Sequence, residues 1–467
     1  VNCAPGTAVP VLSRSHHRDA RQAAPVRILH LGLGGFFRAH QAWYTDRAPD
    51  AAEWGIAAFS GRRPDLAHAL ASQDGLYTLV TRGSDRDRHE VVGSLSAAHP
   101  GGDHAAWLAY WERPRLAVVT LTVTEAGYTR GGDAPVLDTG RADVVADIAA
   151  LRADARAHVG TAAARLLGGL AARQAAGHGP VALVSCDNLP GNGRVLRHVM
   201  RELAEATGRP DLVAAARHAS YVTTMVDRIT PATTDEDIAA LRTVTGGADA
   251  APVLTEPFSE WVLEGEFPAG RPAWEKAGAR MVSDVSHHEE RKLWLLNGGH
   301  SLLAYTGSAL GHDTVAAAVA DPRCRDRLTR WWAEASRHLR LPPADLAAYQ
   351  EALLTRFANA RIRHTLAQIA TDGSQKLPVR VLPVLRAERA EGRLPPAAVQ
   401  VIAAWLLHLR GVGAPVKDIS ANTVTAAARG PLPEAARRVL GHLDPALAHD
   451  EELCAGVTAC AEEGFAW

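Results

Sequence analysis

The chain has 467 residues, 47% hydrophobic and 22% charged, an ordinary balance for a globular protein of two or three domains. That composition excludes wholesale disorder, collagen-like repeats and a disulfide-dense miniature. Lysine plus arginine total 50 against 51 for aspartate plus glutamate, so the basic excess of a general nucleic-acid or anionic-membrane binder is absent.

In chain order, residues 1–25 mix Arg, His, Pro and Ala with no apolar stretch of the secretion-signal kind, and read as a partly mobile N-terminal tail. Continuous apolar runs at 26–33, 54–59, 116–124 and 181–186 suit buried parallel strands. Helical stretches at 38–47 and 144–174 alternate with them, which predicts an α/β domain with a doubly wound sheet. From about residue 286 the texture changes. Helices are expected at 286–308, 313–320, 324–338, 346–356, 398–409 and 433–440, with 379–385 the main strand candidate. The expected division is therefore a tail at 1–25, an α/β domain at 26–282 and a mostly α-helical domain at 283–467. Cys3, Cys186, Cys324, Cys454 and Cys460 are scattered and form no C-x-x-C pair, which fits a reducing cytoplasm better than a disulfide framework. No apolar run reaches the ~18 residues of a membrane span.

The first strand runs into Gly32-Leu33-Gly34-Gly35-Phe36-Phe37-Arg38. A strand–G-x-G–helix passage suits a dinucleotide. Gly32 permits the tight turn, and Gly34, with Gly35 and Phe36 beside it, lets backbone N–H groups approach a pyrophosphate. Phe37 stands where the third glycine of the usual fingerprint would be. A purely structural glycine turn remains the alternative. Past the second strand, Arg62 and Arg63 replace the carboxylate that commonly binds a ribose 2′-hydroxyl. They suit a 2′-phosphate or, equally, form a solvated basic loop. The cofactor expected is NAD or NADP.

Nearly all basic residues are arginine; the lysines are Lys276, Lys292, Lys376 and Lys417. Lysine, unlike arginine, can lose its proton when its pKa is lowered. Lys292 lies in Glu289-Glu290-Arg291-Lys292-Leu293-Trp294-Leu295-Leu296-Asn297-Gly298-Gly299-His300. An α-helix at roughly 100° per residue puts Lys292, Glu289, His300 and Asn297 at about 0, 60, 80 and 140°, with Leu293 and Leu296 opposite. Two glycines within a helix cost about 1 kcal/mol each relative to alanine. Close approach of a substrate or cofactor, or tight helix packing, would explain them. Alcohol oxidation needs a base for the hydroxyl proton and donors for the developing alkoxide. Lys292 is the candidate base and Asn297 a candidate donor. Asn188, just past the strand at 181–186, is a second candidate donor or part of an ordinary turn. H-E-x-x-H, G-x-S-x-G, the P-loop and Tyr-x-x-x-Lys are all absent, so metal-independent lysine chemistry is expected, with no metal.

These segments, in this order, resemble the mannitol dehydrogenase family, the long-chain polyol dehydrogenases that include fructuronate reductases. The likeness rests on residues 31–44 (LGLGGFFRAHQAWY), 121–128 (LTVTEAGY), 185–193 (SCDNLPGNG), 226–233 (VDRITPAT), 256–263 (EPFSEWVL) and 292–305 (KLWLLNGGHSLLAY). It implies a Rossmann-type N-terminal domain, a helical C-terminal domain and an active site between them. It also implies a catalytic Lys292, oxyanion donors Asn188 and Asn297, a substrate-binding His300, and Glu289 relaying the proton to solvent. Family members that select NAD carry acidic residues where this chain has Arg62 and Arg63. Mannitol-specific members have an arginine where this chain has Gln368. Arg363, His364, Gln368, Lys376 and Arg380 look more like the fructuronate reductase branch; Arg363 or Arg380 would pair with a uronate carboxylate or, equally, serve as a structural ion-pair partner. The expected substrate is a polyol, ketose or hexuronate, as the D-mannonate/D-fructuronate or D-mannitol/D-fructose pair. The protein is expected to be a monomer or small homo-oligomer that binds neither nucleic acid nor membrane. The competing reading is a non-catalytic dinucleotide sensor, which would be expected to have lost Lys292 or one of the asparagines.

Overall fold

The computed structural model describes residues 11–15, 21–131 and 136–464. Two compact units make up the chain, Val1–Ser286 and His287–Trp467. The first contains strands β1 (Val26–Leu31), β2 (Gly55–Phe59), β3 (Tyr77–Arg82), β4 (Asp87–Val92), β5 (Leu95–His99), β6 (Val118–Leu121), β7 (Ala182–Ser185), β8 (Ser220–Asp227), β9 (Val253–Thr255), β10 (Glu260–Glu264) and β11 (Arg280–Met281).

Eight of them form one sheet in the order β11-β10-β8-β7-β6-β1-β2-β5. Pairing is parallel from β5 through to β8 and antiparallel only between β8 and β10. Alternate strand residues face opposite sides. Leu29, Leu31, Val119 and Leu121 enter one core with the helices Ala142–Ala153, Ala162–Ala175 and Asn192–Thr207. Ile28, Ile56, Val118 and Val184 enter a second core with Phe37, Tyr44 and Leu70. Burial on both faces makes the sheet doubly wound, a Rossmann-type arrangement. Leu31 pairs with both Phe59 and Leu121, and Leu121 with Ser185, so four strands end side by side at their carboxyl ends. Sequence order reverses between β1 and β6, the place where such sheets hold ligands. A smaller sheet, β4-β3-β9, lies in the same unit.

Several element boundaries depart from expectation. The helix expected at 38–47 is two pieces, Gly35–Ala39 and Gln41–Arg47, interrupted at His40 with φ −124° and ψ −88°. The one expected at 144–174 is broken because Asp147 accepts the Gly160 and Thr161 N–H groups at 2.8 Å, and Thr161 caps the second helix. The strand expected at 379–385 is helical, divided between Gly373–Arg380 and Leu382–Ala390. Its apolar run is one face of two helices: Leu377, Val381, Leu382, Val384 and Leu385 are buried while Val379 is exposed, and Pro383 starts the second helix. Of the tail, residues 1–10 and 16–20 lie outside the described residues. Arg14 within it reaches the Gly93 and Leu95 carbonyls at 2.8 Å. The described residues of the second unit form helices and no strand beyond one isolated bridge between Thr314 and Thr365, and they include the buried helix Pro396–Leu409. Among the described residues no helix is long and apolar enough to cross a membrane.

Candidate active site

The glycine turn sits at the carboxyl end of β1. Gly32 has φ +108°, and a Cβ there would lie 2.2 Å from the Thr122 carbonyl oxygen, so only glycine fits. Gly32 N–H and Leu33 N–H both donate to the Phe59 carbonyl, at 3.0 and 2.9 Å, and the Thr122 hydroxyl donates to the Gly32 carbonyl at 2.8 Å. Gly34 and Gly35 are different. A Cβ on either meets nothing nearer than 3.6 and 3.5 Å, and both are half-buried, as is Phe36. Neither clashes as Gly32 does: a methyl at Gly34 would meet the Gly32 carbonyl, and one at Gly35 the Thr230 and Val253 side chains, at ordinary contact distance. The turn's place at the carboxyl end of β1, just before a helix, fits a dinucleotide pyrophosphate. Phe37, in place of a third glycine, stacks on His30 with ring centres 3.4 Å apart. His30 is wholly buried between the Thr120 and Thr122 hydroxyls at 2.8 and 3.2 Å, and burial pushes its pKa down to about 3. Sequence reasoning missed His30 and Thr122, which carry no motif of their own. Arg62 and Arg63 follow β2 and are exposed; neither meets a carboxylate among the described residues.

Asn188 follows β7 and is exposed. The turn that carries it is anchored on both sides. Asp187 accepts the Leu189 N–H at 3.0 Å and the Tyr128 hydroxyl. Burial, then the neighbouring Asp187, raises the Tyr128 phenol well above its ordinary pKa, so it stays a donor. Asn192, wholly buried, donates to the Asp187 and Thr224 carbonyls at 3.2 and 3.0 Å and accepts the Thr224 N–H at 3.0 Å. Tyr128, Asp187 and Asn192 were not singled out, although each lies within a segment already quoted.

In the second unit the segment around Lys292 departs from a plain α-helix. Ser286–Arg291 is α-helical, Lys292–Gly298 is a π-helix and Gly299–Ala309 is α-helical again. The α-helical wheel is therefore corrected. Leu295 and Leu296 are the buried leucines, while Leu293 is only half-buried. On an α-helix, residues five apart diverge by roughly 140°. A π turn closes i→i+5 hydrogen bonds on a wider turn, which narrows that divergence and brings such residues toward one face. Lys292 and Asn297 are five apart, and both are half-buried, as is Glu289; His300 is buried. Gly298 and Gly299 serve packing: a Cβ on Gly298 would lie 2.8 Å from Trp331, and one on Gly299 2.8 Å from Leu328.

Of the other candidates, His364 lies 4.9 Å from His300 ring to ring, and Phe357 stacks on His300 at 4.5 Å. Burial, then the Arg356 charge, lowers the His364 pKa. Arg380 Nη1 donates to the Asn297 carbonyl at 3.4 Å and the Ser301 hydroxyl at 3.2 Å. Burial pushes Arg380 down to about 10, so it stays a cation at neutral pH. Among the described residues no carboxylate pairs with it. Lys376 turns to its own loop, on the Ile369 carbonyl at 3.2 Å and the Thr371 hydroxyl at 3.0 Å, and burial, then Arg380, lowers its pKa. Arg363 is exposed. Elsewhere His312, Asp321 and Cys324 bring metal-ligand atoms within 4.8 Å of one another, but Arg323 already holds Asp321 at 2.8 Å.

Comparison with known proteins adds to this geometry. Residues 26–276 match the family model described as the mannitol dehydrogenase Rossmann domain, and 284–437 that of the mannitol dehydrogenase C-terminal domain. An uncharacterized oxidoreductase of Escherichia coli (strain K12), YeiQ, is 37% identical over 410 residues, 85% of this chain and 82% of its own. The D-mannonate oxidoreductase of the same strain is 36% identical over 396 residues, 83% of this chain and 80% of its own. Among solved structures, the Pseudomonas fluorescens mannitol 2-dehydrogenase, in a ternary complex with NAD and D-mannitol, is similar at a TM-score of 0.77 and 32% identity, over 98% of this chain and 94% of its own.

Proposed function

The chain belongs to the mannitol dehydrogenase family, and from that premise we propose how its own residues carry out the family's chemistry. The protein is an oxidoreductase acting on the CH–OH group of a polyol-type substrate with a nicotinamide dinucleotide. Within that class we propose reversible oxidation at C2 of the D-mannonate/D-fructuronate pair, with D-mannitol/D-fructose as the competing pair.

The dinucleotide, when bound, supplies the hydride acceptor or donor. Gly34 and Gly35, in the turn between β1 and the following helix, would let backbone N–H groups approach its pyrophosphate. Arg62 and Arg63, exposed and with no carboxylate partner among the described residues, suit a 2′-phosphate and favour NADP(H) over NAD(H). In the oxidation direction the neutral Lys292 amine takes the hydroxyl proton as the C2 hydrogen leaves as hydride. Asn188 and Asn297 amide N–H groups donate to the oxygen, whose negative charge rises before the carbonyl forms. Glu289 passes the proton from Lys292 to solvent, and His300, braced by Phe357 and His364, orients the substrate chain.

The observation that carries the reading is the π winding of Lys292–Gly298, which favours base and oxyanion donor on one face of the helix. The uronate preference rests on Arg380, a half-buried cation with no carboxylate partner among the described residues. A substrate carboxylate would supply one. Initial rates with D-fructose, D-fructuronate, D-tagaturonate and D-arabinitol, each with both dinucleotide pairs, test this. Fastest turnover of D-fructuronate with NADPH is expected. A faster D-fructose rate overturns the uronate assignment, and silence across the panel despite dinucleotide binding favours a sensor.

A further inference from the structure

A π segment is an uncommon winding, because its wider turn weakens the hydrogen-bond geometry of an α-helix and survives where something outside the segment holds it. Here the restraint is visible. The Trp331 indole N–H donates to the Trp294 carbonyl at 2.8 Å, and the Trp332 indole N–H to the Leu295 carbonyl at 2.8 Å. Both donors come from adjacent residues of one helix, Pro322–Ser336, and both side chains are buried, at 0% and 2% exposure. The two carbonyls are neighbours in the middle of Lys292–Gly298. Glycine makes the approach possible. A Cβ on Gly298 would lie 2.8 Å from Trp331 Cζ2, and one on Gly299 3.2 Å from Trp332 Nε1. Two indoles and two glycines thus form one interlocking contact. The π segment, with no side chain at 298 or 299, presents both carbonyls to the indoles.

We propose that Trp331 and Trp332 are positioning residues that hold the π winding, and through it the alignment of Lys292 with Asn297. The inference rests on the reading of Lys292 and Asn297 as base and oxyanion donor. Neither indole touches the reacting atoms. Losing either N–H lets the segment relax toward α-helical winding, in which the two side chains diverge by roughly 140°. Substrate would still bind, but the base and the donor would no longer meet the same hydroxyl.

Trp331→Phe and Trp332→Phe keep an aromatic ring and remove the N–H. The measurement is kcat, KM and the pH profile of kcat in the full chain, alongside the thermal midpoint and dinucleotide affinity. Each variant is expected to lose about tenfold or more in kcat, with KM for the polyol and dinucleotide affinity within about threefold. The limb of the pH profile that reports the base should also shift. In a Lys292→Ala background the same replacement should cost clearly less than in the parent, because the alignment it protects has already lost its amine. Each tryptophan is read independently, so a variant that does not fold leaves the other to decide. A kcat within twofold of the parent overturns the inference. So does a loss that tracks the thermal midpoint and recurs undiminished without Lys292, since that marks mere support of the fold. Full turnover in Lys292→Ala itself instead overturns the reading of the base, which separates the two failures.

Discussion

Two glycine pairs look alike in the sequence and behave oppositely in the structure. Gly34 and Gly35 follow β1 in the first unit, and a side chain on either would meet ordinary van der Waals space. Gly298 and Gly299 lie at the end of the π segment in the second unit, and a side chain on either would collide with Trp331 or Leu328. The first pair would accept a methyl at ordinary contact distance from the chain; the second is already filled by the chain's own side chains. A glycine pair near a candidate site is therefore ambiguous until the neighbours are known. An open pair points to a ligand, whereas a closed pair points to a backbone held in an unusual winding.

That contrast can be broken by substitution. Gly298→Ala should destabilise the fold by about 1–3 kcal/mol, since the new methyl must displace a buried tryptophan ring, and should lower kcat as well. Chemical denaturation reads the first effect; an unchanged midpoint would mean the second unit absorbs the methyl without strain. Gly34→Ala should do the reverse. Its backbone, at φ −145°, accepts alanine, so stability should hold or rise by about 0.4–1 kcal/mol. Dinucleotide affinity should fall about tenfold, read by equilibrium titration, and undiminished affinity would remove the open pair from the binding site. Arg62→Asp sharpens the same loop. Because the side chain is exposed, the expected loss of NADP over NAD preference is modest, roughly three- to tenfold, and shrinks with salt. Equal ratios before and after would leave Arg62 a solvated residue.

The smallest effect concerns the floor beneath the open turn. His30 is held neutral, burial having pushed its pKa down to about 3 from an ordinary 6.5. Between those values the unfolded chain binds more protons than the folded one. The stabilisation is complete above about pH 6.5 and is lost as pH falls through the window. The slope is at most ~1.4 kcal/mol per pH unit from this group. His30→Gln should flatten the fall in denaturation midpoint between about pH 6.5 and 5.5, and an identical fall in the variant would assign the slope to other groups.

Much of the first unit was legible because its central strands are continuous apolar runs, buried on both faces. Strands of mixed polarity were not: β3 and β4 alternate Thr, Arg, Asp and Glu with apolar residues, and β8 ends in Asp227. The run at 379–385 misled because a short apolar stretch fits a strand or a buried helix face equally well, and only its packing decides. The residues named for chemistry lie in segments the sequence marks clearly. What it does not mark is the π winding. That depends on donors from Trp331 and Trp332, more than thirty residues further along, and no local pattern around Lys292 encodes them. Likewise the Tyr128 hydroxyl that braces the Asn188 turn comes from another strand's end.

The central claim is that the amine of Lys292 takes the proton while hydride leaves the substrate carbon. Single-turnover reduction of the nicotinamide by Lys292→Ala, with dinucleotide binding measured on the same sample, tests it most directly. The account predicts a rate lower by about a hundredfold or more, with dinucleotide affinity within about twofold of the parent. Hydride transfer at the parent rate, with the dinucleotide bound, would contradict it.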